Sequence, residues 1–361
     1  VRTFTIGMAE AGYDESPHAQ AVAHHLGTEH ATFMLSQAEV LDEVPHIAAR
    51  YDEPFADSSQ LPTYLVSRLA RRQVTVALSG DGGDELFAGY NRHFNGSRLW
   101  SQMQRLPAGL RVAAGSGLGA VPPGLLTALV RAAGPLAPRD LAAGRAGEKL
   151  HKLARLLVAR DVDAFQEALV RTGQAVTVLA DGVGAPPVTG SANERLGDID
   201  FAAAAMLLDT GQYLHDDVLT KVDRASMAVS LETRTPFLDR DLFDLAWCLP
   251  HQFKVKGGEG KRVLRALLYR HVPREIVDRP KAGFAMPIGR WLRGPLAEWA
   301  ESHLSVEALR RSNVFDVASV RALWQAHRTG RRDHETQLWS VLMYQSWHAS
   351  QRDNVRKGYM A

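Results

Sequence analysis

The segment ALSGDGGDELFAGY, residues 77–90, runs from an apolar strand pattern through a turn into a helix-like stretch. Three glycines and three acids fall within Ser79–Glu85. Glycine permits positive φ and close backbone approach to a ligand. Free amides at the start of the following helix favour an anion. Three carboxylates beside a polyphosphate would repel it unless a cation stood between them. Mg2+ suits that place, since it takes oxygen ligands and is shared between one or two carboxylates and substrate phosphates. On this reading the acids hold a metal and the metal holds phosphates. The competing reading is a solvated turn whose acids cap a helix. A P-loop is excluded because no Gly-Lys-Ser/Thr follows. The spacing of Gly80, Gly82 and Gly83 is also not that of a GxGxxG fingerprint.

Upstream, residues 1–8 alternate as a strand. Ser16-Pro17 opens a helix and Gly27 ends it. HATFML (30–35) reads as a second strand, and Ser36 with Glu39 forms a capping box for a helix of about 14 residues. Asp57-Ser58-Ser59 precedes a helix at 61–72, and Val74–Leu78 is a third strand. Strands separated by helical patterns predict an α/β fold with a parallel, doubly wound sheet. Ligands of such sheets lie beyond the carboxyl ends of the strands, where Ser79–Glu85 falls.

From 96 to 200 the chain turns rich in Ala, Leu, Gly and Arg, and short helices joined by turns are expected. Helical periodicity returns after 200, strongest at 216–231 and 334–349, with Leu338, Trp339, Val341, Leu342, Gln345 and Trp347 expected in the core. The predicted organisation is an α/β core at 1–95, a helical insertion at 96–200 and a helical part at 201–361. Residues 96–180 hold 11 Lys/Arg against 5 Asp/Glu. Only Trp100 and Phe165 are aromatic there, so base-stacking platforms are lacking and a solvated basic face is preferred to nucleic-acid binding.

The whole chain, 361 residues with net charge +2, is of ordinary globular composition, and its charge selects no class of partner. No continuous run reaches the ~18 apolar residues of a membrane span. The lone Cys248 sits in an apolar stretch and is read as a buried small side chain. With no internal disulfide available, a cytoplasmic setting is expected. His18, His24 and His25 match no zinc spacing. The strand that begins at Val1 is read as starting inside a domain.

SGDGGDELFAGY resembles the signature loop of the synthetase domain of glutamine-hydrolysing asparagine synthetases, members of the ATP pyrophosphatase group. DEPFADSSQLPTYLVSRLAR (52–71), LTKVDRASMAVSLETRTPFLD (219–239) and RPKAGFAMPIGRWL (279–292) agree in the same order. The resemblance implies an adenine nucleotide alpha-hydrolase-like sheet and a 201–361 region that completes the synthetase site. It implies ATP and Mg2+ as cofactors, with adenylation of the aspartate side chain, release of pyrophosphate and attack by ammonia.

It also implies roles for individual residues. Ser79, Gly80, Gly82 and Gly83 contact the nucleotide, Ile6 lines the adenine pocket and Asp84 holds metal and pyrophosphate. Asp81 assists ammonia attack, with Glu85 as a supporting acid and Tyr90 in the same motif. Lys281 neutralises the leaving pyrophosphate; without the resemblance a surface lysine would be the plainer reading, and the resemblance reverses that preference. Lys221 and Arg224, three apart on a helix, form either a basic wall for phosphates or substrate carboxylate or, through Asp217, a surface ion pair. Asp57, Ser58 and Ser59 either cap a helix or bind aspartate.

Two family parts are missing, the first strand with its SGGxDS pyrophosphate loop and the glutaminase domain that supplies ammonia. The chain alone is therefore expected to be inactive. A homodimer is a possible assembly. The alternatives are the same chemistry on another carboxylate, as in β-lactam synthetases, and an inactive binding fragment.

Overall fold

A computed structural model describes residues 1–8, 14–134, 146–170, 178–180, 200–278 and 286–358. Strand β1 (Arg2–Met8) pairs in parallel with β2 (Glu29–Leu35), from Arg2 opposite Glu29 to Met8 opposite Leu35. Helix α1 (Ser16–Leu26) makes the crossover, with proline in its first turn and Gly27 left-handed at φ 63°. Helix α2 (Gln37–Ile47) has the capping box in full: the Ser36 hydroxyl accepts from Glu39 N–H and the Glu39 carboxylate accepts from Ser36 N–H. It continues as a 3-10 turn, Ala48–Arg50. Helix α3 (Gln60–Ala70) follows.

The doubly wound sheet is not formed by the described strands. β3 (Val76–Leu78) pairs in parallel with β4 (Glu232–Arg234), and the two pairs are separate sheets. Between them runs a side-chain bond, from Arg2 Nη1 to the Gln73 carbonyl at 3.3 Å. β3 and β4 are three residues each, and Val76 and Leu78 are 40% and 73% exposed. No period-two alternation marks Glu-Thr-Arg as a strand, so β4 was not foreseen.

The main core joins both ends of the chain. Ile6, Val40, Val44, Ile47, Leu61 and Leu65 are buried with Trp291, Trp324, Leu338 and Leu342. Each fully buried side chain of this size contributes about 1.5–3 kcal/mol relative to exposure. Trp339, Val341 and Gln345 are buried as expected, and Trp347 packs against the same core half-buried.

Short α4 (Gly83–Leu86) follows the turn, α5 (Asn91–Met103) leads into the 96–200 region, and α6 (Ala108–Ala120), α7 (Pro123–Ala132), α8 (Ala146–Val158) and α9 (Val162–Val170) lie within it. Trp100 and Phe165 pack with Phe201, so neither is a free stacking platform. Among the described residues no single helix is long and apolar enough to cross a membrane; α6 and α7 approach that composition only together, with a 97° bend between them.

Helix α10 (Phe201–Leu208) passes through a wider, π-helical stretch, Asp209–Leu219, into α11 (Thr220–Met227). Leu86 and Phe87 rest on α12 (Arg240–Cys248) through Ala246, Phe243 and Trp247. Cys248 ends that helix exposed, which corrects the buried reading: an apolar neighbourhood in sequence became one apolar face, and the cysteine lies off it.

Candidate active site

The turn at 79–90 begins where β3 ends. Ser79 N–H continues the ladder by donating to the Arg234 carbonyl at 2.9 Å, and the Ser79 hydroxyl donates to Asp81 Oδ2 at 2.6 Å. Gly82 is left-handed at φ 89°, and a Cβ there would lie 2.5 Å from Leu238 Cδ2. Its conformation and the packing both require glycine. Gly83 lies against the Phe237 ring, whereas a Cβ on Gly80 would meet nothing within 4 Å.

The three acids do not converge. Asp81 turns back to Ser79. Glu85 is 1% exposed and accepts a 2.5 Å hydrogen bond from the Tyr90 hydroxyl. Burial, then the Glu85 charge, push the Tyr90 phenol far above its ordinary value, so it stays a neutral donor. Asp84, partly exposed, pairs with Lys261 Nζ at 3.0 Å. Lys261 is left-handed at φ 56° and its N–H donates to the Phe87 carbonyl. No group of three metal-ligating side chains forms among the described residues. The acidic cradle of three is thereby corrected, because local hydrogen bonds draw two of the acids away. Mg2+ keeps several waters and needs one or two carboxylates beside substrate phosphates, and Asp84 fits that smaller demand.

The helix opposite presents Asp209, Tyr213, Asp217 and Lys221, one every four residues. Asp209 accepts from Arg92 Nε at 2.9 Å and lies 2.5 Å from His93 Nε2. The Arg92 guanidinium lies over the Tyr90 ring at 4.0 Å and the Tyr213 ring at 5.0 Å, and those two rings meet edge to face at 5.7 Å. Lys221 Nζ donates to Asp57 Oδ2 at 2.7 Å, and Asp57 also accepts from the Ser59 hydroxyl and N–H at 2.7 and 2.9 Å. The Lys221 partner is therefore Asp57, not Asp217. Burial raises the Asp57 carboxyl, but the Lys221 charge and these hydrogen bonds outweigh it and hold it below the ordinary range. Burial and then the Asp57 charge push Asp217 up to about 6. Arg224 points elsewhere, to Asp52 at 2.6 Å and to Asp223.

Of the residues expected from sequence, Ser79, Asp81, Asp84, Glu85 and Tyr90 cluster in the turn. Asp57, Ser59 and Lys221 form a second group, joined to the first through Tyr213. Ile6 is a core side chain, 4% exposed, opposite Phe33. Lys281 lies outside the described residues. Asp209, Tyr213 and Lys261 were missed. The four-residue repeat 209–213–217–221 was a legible signal for two of them, and the GGEGK turn at 257–261 for the third.

A family model described as asparagine synthase matches residues 1–349. A Mycobacterium tuberculosis (strain ATCC 25618 / H37Rv) protein provisionally named asparagine synthetase (glutamine-hydrolyzing) is 33% identical over 352 residues, 96% of this chain and 50% of its own length. Asparagine synthetase (glutamine-hydrolyzing) 1 of Bacillus subtilis (strain 168) is 30% identical over 362 residues, 100% of this chain and 53% of its own. The chain spans about half the length of these curated relatives.

Proposed function

The chain belongs to the asparagine synthase family, and we propose that in the full-length protein it makes an amide by way of an acyl-adenylate. The side-chain carboxylate of aspartate attacks the α-phosphorus of ATP. The bond to the bridging oxygen breaks and pyrophosphate leaves. Ammonia then attacks the acyl carbon, the C–N bond forms, AMP departs with the acyl oxygen bond, and the nitrogen loses a proton to give asparagine.

The observation that carries this reading is the Asp84–Lys261 pair at the end of β3, beside a glycine turn open above Gly80. Charge grows on the leaving phosphate oxygens, and fixed cations there lower the barrier. Lys261 stands ready for that role once a ligand competes for it. Mg2+, when bound, supplies charge neutralisation to the phosphates, and Asp84 would hold it. Ser79, Gly80, Gly82 and Gly83 would approach the nucleotide with their backbone, and Ile6 would back the adenine. Asp81 would accept the proton lost by ammonia. Glu85 and Tyr90 hold the wall behind it, and Lys281 would neutralise the leaving pyrophosphate. The relatives are named glutamine-hydrolysing, and ammonia would here come from such a domain.

The test is aspartate-dependent ATP–pyrophosphate exchange by the full-length protein. Asp84→Asn should abolish it. Near-normal turnover in that variant would remove the site. Exchange with another carboxylic acid and none with aspartate would move the reading to a different acyl acceptor, as in β-lactam synthetases.

A further inference from the structure

The Asp57–Lys221 pair stands among groups that a plain structural ion pair does not need. Its side chains are 23% and 13% exposed, so solvent still reaches it. Asp217 lies one turn before Lys221, beside Asp57 and Tyr213, and feels the same ammonium charge. Its Oδ1 is buried without a hydrogen-bond partner. The remaining neighbours, Tyr51 and Tyr213, are both held neutral: burial raises each phenol well above its ordinary value, and the acids add to that. The cluster thus holds two carboxylates against one ammonium, with one acceptor left over.

From this juxtaposition we infer that Asp57, Asp217 and Lys221 read the amino-acid zwitterion of the substrate: Lys221 takes the α-carboxylate, and Asp57 with Asp217 takes the α-ammonium. The inference rests on the amide-forming reading above and deepens it. The two readers satisfy one another through the 2.7 Å bond. An entering zwitterion exchanges that bond for two and supplies a donor to the open Asp217 oxygen. An ammonium there also favours the charged Asp217 carboxylate that burial and Asp57 otherwise disfavour. A phosphate could not do the same, because Lys221 would bring it against two carboxylates. The group is one tyrosine layer from the acidic turn, through the Tyr213–Tyr90 contact.

Two analogues separate the readers. Succinate is aspartate without its ammonium, and β-alanine is aspartate without its α-carboxylate. In ATP–pyrophosphate exchange by the full-length protein, each should show kcat/KM lower than aspartate by roughly 10- to 100-fold, the scale of one lost charged hydrogen bond. Lys221→Met should lower the value for aspartate and succinate by a similar factor and leave β-alanine within about twofold. Asp57→Asn should lower aspartate and β-alanine and leave succinate. A structural role would lower all three together, and that result overturns the inference. So would equal use of the three acids by the unsubstituted protein, a comparison that requires no variant to fold. Exchange with none of them would remove the adenylation reading, and this inference with it.

Discussion

Gly89→Ala separates the stability of the fold from the geometry of the site. Gly89 has no positive φ, so its backbone accepts alanine. A Cβ there would stand 1.8 Å from Asp84 Oδ1, 2.7 Å from Asp84 Cγ and 2.4 Å from Lys261 Cε. Carbon atoms settle at about 3.5–4.0 Å, so the carboxylate and the lysine stem must each retreat by roughly 1 Å. Both are ends of flexible, partly exposed side chains, which makes the retreat mild for the fold. Overpacking of rigid cores costs about 1–3 kcal/mol, and losing a partly exposed ion pair adds about 0–1 kcal/mol. A total of about 1 kcal/mol is expected, which lowers Tm by only about 1–2 °C in a chain of 361 residues. A displacement of ~1 Å at reacting groups, by contrast, costs about 100-fold in rate. Thermal melts and aspartate-dependent pyrophosphate exchange, on the same preparation of full-length protein, read the two quantities. A folded variant with near-parental exchange would refute the claim that the Asp84–Lys261 pair belongs to the site.

Gly80→Ala is the complementary probe. Its Cβ meets nothing within 4 Å, so Tm should not move, while ATP affinity by calorimetry should fall several-fold if the nucleotide backs onto this residue; unchanged affinity would place the nucleotide elsewhere. Asp217→Asn tests the buried carboxyl pair by pH. The folded state holds the Asp217 proton up to about pH 6, above the ordinary value near ~3.9, so the stability it contributes is present below the ordinary value and lost as pH rises through about 6. Asparagine removes that loss, and the variant should be more stable than the parent at pH 8, on the order of 1–2 kcal/mol, with little difference at pH 4. Parallel stability curves from pH 4 to 8 would show that the carboxyl is not perturbed.

Features set by neighbours a few residues apart were legible from the chain alone. The Ser36–Glu39 box, the Gly27 stop and the existence of the Ser79–Glu85 turn are all local, and the amino acids that form them lie within one or two turns of chain; the hydrogen bonds that draw Asp81 to Ser79 and Glu85 to Tyr90 were not foreseen. The family resemblance was likewise legible, because its long motifs occur in order.

What only the tertiary structure decided is which charge meets which. Lys221 has Asp217 four residues away, yet it pairs with Asp57, 164 residues distant in sequence. Asp84 meets Lys261 from a turn far away in sequence, β3 finds β4 across the insertion, and Cys248 comes out exposed. A charged side chain has many sequence neighbours within reach. Packing of apolar faces, which supplies most of the folding free energy, brings distant elements together and only then selects the ion pair.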